Sequence, residues 1–220
     1  MNETLYVQLL DLFCGALLLS AVLVLWRREL SVVIGLFALQ GLALTAIVAV
    51  IAVHHRDAEL GIIAAGVLVL RVGVLPWLLR RALARAGAAR RDSRPLVNVA
   101  SSLLTAAVLT LLAYAVSQPL VQLAPSATTE AIPVGLTVVL IGLFVLVTRR
   151  RALSQLAGFL LLDNGITAVG FLTVTSVGLV VELGVSLDLL LVVLVLQILA
   201  VRMREAFGGT DLDELRELRD

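Results

Sequence analysis

Seven long apolar runs take up most of this chain, approximately Thr4 to Trp26, Leu30 to Val53, Leu60 to Leu79, Val97 to Leu123, Ala131 to Val147, Ala152 to Val174 and Val177 to Val201. A bilayer core about 30 Å thick is crossed by roughly 20 apolar residues of helix, and in hydrocarbon every backbone N–H and C=O has to be paired within the spanning element. Runs of this length and number imply an all-α, multi-pass transmembrane helix bundle of about seven helices. Composition argues the same way: 60% of the 220 residues are hydrophobic, against roughly 45–50% apolar content in soluble domains, whose surfaces could not absorb the excess. The first run is read as a retained helix, not a cleaved signal. It lacks a basic leader, contains Asp11, and is followed by Arg27-Arg28 without a small-residue cleavage pattern.

Arginine placement sets an orientation. All 17 basic residues are arginine; Arg27 and Arg28 follow the first run, Arg80 to Arg94 the third, Arg149 to Arg151 the fifth, and Arg202, Arg204, Arg216 and Arg219 the seventh. Among the alternate connections only Arg56 breaks the pattern. The positive-inside rule then puts the N-terminus outside and the C-terminus in the cytoplasm, which requires an odd number of spans. The expected organisation is three helices and a basic cytoplasmic loop over 1–96, helices four and five over 97–148, helices six and seven over 149–204, and a cytoplasmic amphipathic tail over 205–220. In that tail Thr210 and Asp211 can cap a short helix from Leu212, with Glu214 completing a capping box.

Two local features follow from residue type. Pro76, in the inner part of the third run, has no N–H for the helix ladder and is expected to kink it. Asn98, Ser101, Ser102 and Thr105 fall at i, i+3, i+4, i+7 spacing on the fourth run, which fits either a close helix contact through small side chains or a solvated pathway.

Four ionisable residues lie inside apolar runs away from their ends: Arg71, Asp163, Glu182 and Asp188. Each costs roughly 2.5–3.5 kcal/mol at mid-membrane on insertion scales, so such groups face protein or water and often take part in chemistry. Asp163 and Asp188 are equally distant from the turn near Thr175 and Ser176, which puts them at one depth on antiparallel helices. Arg71, midway along the third run, and Gln40, midway along the second, belong to the same layer. One arginine offsets one carboxylate, and the other is left desolvated, as a proton-relay acid requires. Glu182 precedes Asp188 by six residues, which separates them by about 120° around a helix and roughly 9 Å along it. One is expected to face this bundle, the other a neighbouring subunit or aqueous cavity. A purely structural ion pair between Arg71 and either aspartate is the competing reading. Asp11, nearer the outer end of its helix, is expected to be wetted at the interface.

No catalytic, cofactor-binding or metal-binding residue is expected. Cys14 is the single cysteine, so there is no Cys-x-x-Cys pair for an iron–sulfur cluster. His54 and His55 are neighbours whose side chains point apart.

The run Arg150 to Asn164 (RRALSQLAGFLLLDN), continuing into Gly165-Ile166, resembles the sixth-helix signature of hydrogenase-4 component E and formate hydrogenlyase membrane subunits. Val181-Glu182-Leu183-Gly184-Val185 with Leu187-Asp188-Leu189-Leu190 resembles their seventh-helix signature, and Asp211 to Leu218 their ending. Arg71 and Pro76-x-x-Leu79 fit the third helix. The resemblance implies a non-catalytic subunit in the membrane arm of a group 4 nickel–iron hydrogenase complex, in the bacterial cell membrane. Its C-terminal part looks like complex I subunit K and like the small three-helix chain of multisubunit cation/proton antiporters. By this likeness Asp163, Glu182 and Asp188 belong to a proton pathway with Arg71 as counter-charge. The nickel–iron centre and iron–sulfur clusters would reside in partner subunits, antiporter-like and complex I-like, and no nucleic acid is involved. Asp163 stands where the family usually has Glu, one methylene longer. The alternatives are a subunit of a multisubunit cation/proton antiporter without redox activity, and a self-contained transporter. Against the latter stand the missing inverted repeat and the lack of a Gly- or Pro-broken helix pair.

Overall fold

The structure, a computed structural model, describes residues 1–27, 29–85, 98–149 and 152–173. Its elements are α1 (Glu3–Trp26), α2 (Leu30–His55), α3 (Ala58–Val67), a π-helical segment (Leu68–Val74), α4 (Leu75–Arg85), α5 (Val99–Leu123), the single turn α6 (Ala127–Glu130), α7 (Ile132–Thr148) and α8 (Ala152–Thr173). Six stretches of helix among the described residues are long and apolar enough to cross a membrane, the third of them running from α3 through α4. These match the first six apolar runs. The seventh run, with Glu182 and Asp188, and the tail with its capping box lie outside the described residues.

The helix ends follow from local chemistry. Asp57 accepts hydrogen bonds from the Glu59 and Leu60 backbone N–H groups and so caps α3, after Arg56 has closed α2 at φ 55°, the left-handed conformation that ends many helices. Asn98 accepts from the Ser101 N–H at 2.8 Å and caps α5. Its side chain is therefore committed to the helix end and takes no part in the polar face expected from spacing. Along α5 the buried positions are Ser102, Ala106, Ala113 and Ser117. These are small side chains, as close helix contact requires.

Consecutive spans run antiparallel. The Tyr6 ring stacks on His54 at 3.9 Å between centroids, which sets the start of α1 beside the end of α2. At the other end the Arg149 guanidinium reaches the Val24 carbonyl at 3.5 Å. A shallow apolar cleft brings Leu30, Val33 and Ile34 of α2 against Leu79 and Leu83 of α4 and Ala157 of α8. Arg27, Arg80, Arg81 and Arg149 consequently gather at one end of the bundle.

Four glycines zip α7 to α8. A Cβ on Gly142 would run into the Leu162 nitrogen; one on Gly158 would lie 2.5 Å from the Leu146 nitrogen, one on Gly165 2.5 Å from the Val139 nitrogen, and one on Gly135 2.8 Å from Val169 Cγ2. Each helix contributes a pair spaced by two turns, so the backbones touch along the whole hairpin. Small residues permit such an approach and nothing larger does.

Candidate functional site: a buried arginine cluster

Arg71 occupies the middle of the π-helical segment, and only 5% of it is exposed. Looping out one extra residue per turn is rare and concentrates at functional positions. Pro76 stands just beyond the segment: it has no N–H to give, and its ring crowds the carbonyl four residues back, that of Val72, so the ladder here cannot be regular α-helix. The Leu75 N–H pairs instead with the Leu70 carbonyl, five residues back. On the facing helix, Gly41 leaves room for this stretch of backbone: a Cβ there would lie 2.9 Å from Arg71 Cβ and 3.0 Å from its carbonyl oxygen.

The guanidinium reaches three residues of α8. Nη1 donates to Asp163 Oδ2 at 2.5 Å and also to Asn164 Oδ1; Nη2 donates to Thr167 Oγ1 at 2.7 Å. Asn164 Nδ2 in turn donates to Gln40 Oε1 at 2.8 Å, so the third helix, α8 and α2 share one hydrogen-bonded network. All five side chains are buried, Gln40 completely. The charges of Arg71 and Asp163 cancel within it.

The network fixes its own orientation. Arg71 has only donors, so Asn164 must present its oxygen to it, and the Asn164 amide must then point at the Gln40 oxygen. Among the described residues the Gln40 Nε2 group has no partner, nor has Arg71 Nε. Replacing Gln40 with methionine would leave the Asn164 amide unpaired and is expected to destabilise the protein by about 1–3 kcal/mol. A thermal melt of the purified protein in detergent measures this.

The layer expected from spacing is therefore present for Gln40, Arg71 and Asp163, and it is Asp163 that holds the arginine. Glu182 and Asp188 lie outside the described residues. Asn164 and Thr167 are cluster members that carry no charge, so they do not stand out from the apolar run around them as the ionisable residues do. Asp163 and Thr167 stand at i, i+4, and this spacing could have revealed a shared face. His54 and His55 meet edge to face at the other end of α2. Among the described residues no three His, Cys, Asp or Glu side chains gather as a metal site.

Stacked apolar helices around a neutralised guanidinium define a class, the multi-pass helical membrane proteins with a buried polar core. The chain is 51% identical over 212 residues to Uncharacterized protein Rv0085 of Mycobacterium tuberculosis, covering 96% of each, and it belongs to that protein's family. It is also 27% identical over 205 residues to Hydrogenase-4 component E of Escherichia coli and of Shigella flexneri, covering 93% of this chain and 94% of those proteins. No protein-family model matches. No solved structure matches either.

Proposed function

We propose that this chain is a non-catalytic membrane subunit of a complex related to hydrogenase-4, held in the bacterial cell membrane by seven helices with its arginine-rich end in the cytoplasm. In this reading it anchors partner chains that carry the nickel–iron and iron–sulfur chemistry, and the layer around Arg71 lies along a path for protons driven by that chemistry. The observation that carries the reading is the Arg71–Asp163–Asn164–Gln40 network, deep within helices of a chain whose length aligns almost entirely with Hydrogenase-4 component E. Ionisable groups at such depth are expensive, and membrane proteins place them where protons or ions travel.

One observation favours a second reading. Asp163 is held directly by Arg71, as a structural pin between the third helix and α8 would be.

Purification of the native assembly in mild detergent, with mass spectrometry of what accompanies this chain, tests the assignment. A nickel–iron large subunit and antiporter-like membrane chains are the expected companions. Antiporter-like chains alone would replace this reading with a cation/proton antiporter. In vesicles holding the assembly, Asp188→Asn is expected to abolish redox-driven acidification without loss of the protein from the assembly. Unchanged acidification in that variant and in Asp163→Asn would remove the proton path from the proposal.

A further inference from the structure

The face of α1 turned away from the bundle carries a charge. Gln8, Asp11, Leu12, Gly15 and Leu19 follow one another at helical spacing and are all exposed, whereas Tyr6, Leu10, Cys14 and Leu17 face inward. Tyr6 stacks on His54 beside the charged Arg56-Asp57 turn, and so lies at the polar end of α1. Asp11 comes five residues after Tyr6, which places it roughly 7 Å further in at about 1.5 Å per residue. An aspartate side chain is too short to reach back to water over that distance, unlike arginine or lysine, so this depth argues against the wetting that its place near the outer end suggested. A carboxylate facing acyl chains is not a stable arrangement, so something polar covers it.

What covers it can be narrowed by charge. The rest of this chain's apolar sequence, 177–201, contains Glu182 and Asp188 as its only ionisable residues, which would add like charge. A second copy meeting this one through the same face would set Asp11 against Asp11. Among the described residues nothing lies within 4 Å of where a Gly15 Cβ would be, so one turn beyond the carboxylate another helix can approach the α1 backbone closely.

We propose that this stripe of α1 receives a transmembrane helix from a different chain, and that the incoming helix carries an arginine or lysine paired with Asp11. The proposal rests on the reading of this chain as one subunit of a membrane assembly and adds to it the face used and the partner's charge.

The test uses the whole assembly in native membranes. A photo-crosslinking phenylalanine derivative placed at Leu12, which is 62% exposed, is expected to yield an adduct with another chain, on a peptide whose apolar run contains Arg or Lys. Asp11→Lys is expected to lower the recovery of that chain in pull-downs by roughly tenfold or more, and an acidic residue at the partner's basic position to restore it. Adducts only with lipid, with residues 174–201 of this chain, or with a partner helix lacking a base would overturn the proposal. So would rapid labelling of Asp11→Cys, in a Cys14→Ala background, by a water-soluble maleimide in the intact assembly. Companion chains that co-purify but do not crosslink at Leu12 would sink the docking face alone, whereas the absence of companions would remove the assembly reading as well.

Discussion

Replacing Asp163 with leucine is expected to destabilise the protein by about 3–5 kcal/mol, the usual consequence of leaving one member of a buried pair without its counter-charge. The loss should be asymmetric. Arg71 cannot shed its proton, so the guanidinium left behind by Asp163→Leu stays charged, with Asn164 and Thr167 as its remaining acceptors. Arg71→Met leaves an acid that can take up a proton and become neutral, so the smaller loss is expected there. The double variant Arg71→Met, Asp163→Leu should recover most of the stability, because apolar replacement of an entire buried pair is often neutral or favourable. Thermal melts in one detergent rank the three variants. The double variant also separates the two readings of the cluster. If the pair only joins helices, the variant assembles and redox-driven acidification persists; if it serves proton movement, the variant assembles and acidification is lost.

Alanine at Gly142, Gly158 or Gly165 should each cost about 1–3 kcal/mol, the range for overfilling a well-packed contact. The sign is set by what the new methyl would strike. At Gly142 it meets the Leu162 nitrogen and, at 2.7 Å, the Leu162 Cα. Backbone atoms cannot swing aside like the end of a long side chain, so the hairpin has to part. Gly165 follows Asp163 and Asn164 by one turn or less and abuts the Gly135 carbonyl oxygen at 3.0 Å as well as Val139, so displacement there should also disturb the grip on Arg71. Gly170 is the control: among the described residues nothing lies within 4 Å of its Cβ position, and Gly170→Ala should be neutral, or stabilising by up to about 1 kcal/mol through helix propensity. Melts of the four alanine variants, with the Asp163 variants alongside, distinguish a separated hairpin from a broken pair.

Helix positions were readable because unbroken apolar runs end at unmistakable marks: Arg27, the His55-Arg56-Asp57 turn and Arg149. The shared depth of Gln40, Arg71 and Asp163 was readable for a similar reason, since a constant rise per residue turns sequence distance into depth. Other features carry no signal of this kind. Pro76 announces a disturbance in the third helix, but whether the chain kinks or winds wider depends on what the neighbouring helix tolerates, and Gly41 is 30 positions away from Arg71. The two-turn spacing of Gly135 with Gly142 and of Gly158 with Gly165 is plain in the sequence, yet their meeting depends on the register of the hairpin. Thr167 looks like an ordinary hydroxyl residue until the arginine opposite it is known. Asn98 illustrates the converse: helical spacing assigned it to a face, and its position one residue before the helix made it a cap.

The Arg71–Asp163 pair spans 92 positions of sequence, and this separation bears on biogenesis. At about 5–20 residues per second of translation, the arginine-bearing helix emerges on the order of ten seconds before its counter-charge is synthesised. During that interval the nascent chain carries an arginine in an apolar run without its counter-charge, at a cost of roughly 2.5–3.5 kcal/mol on insertion scales.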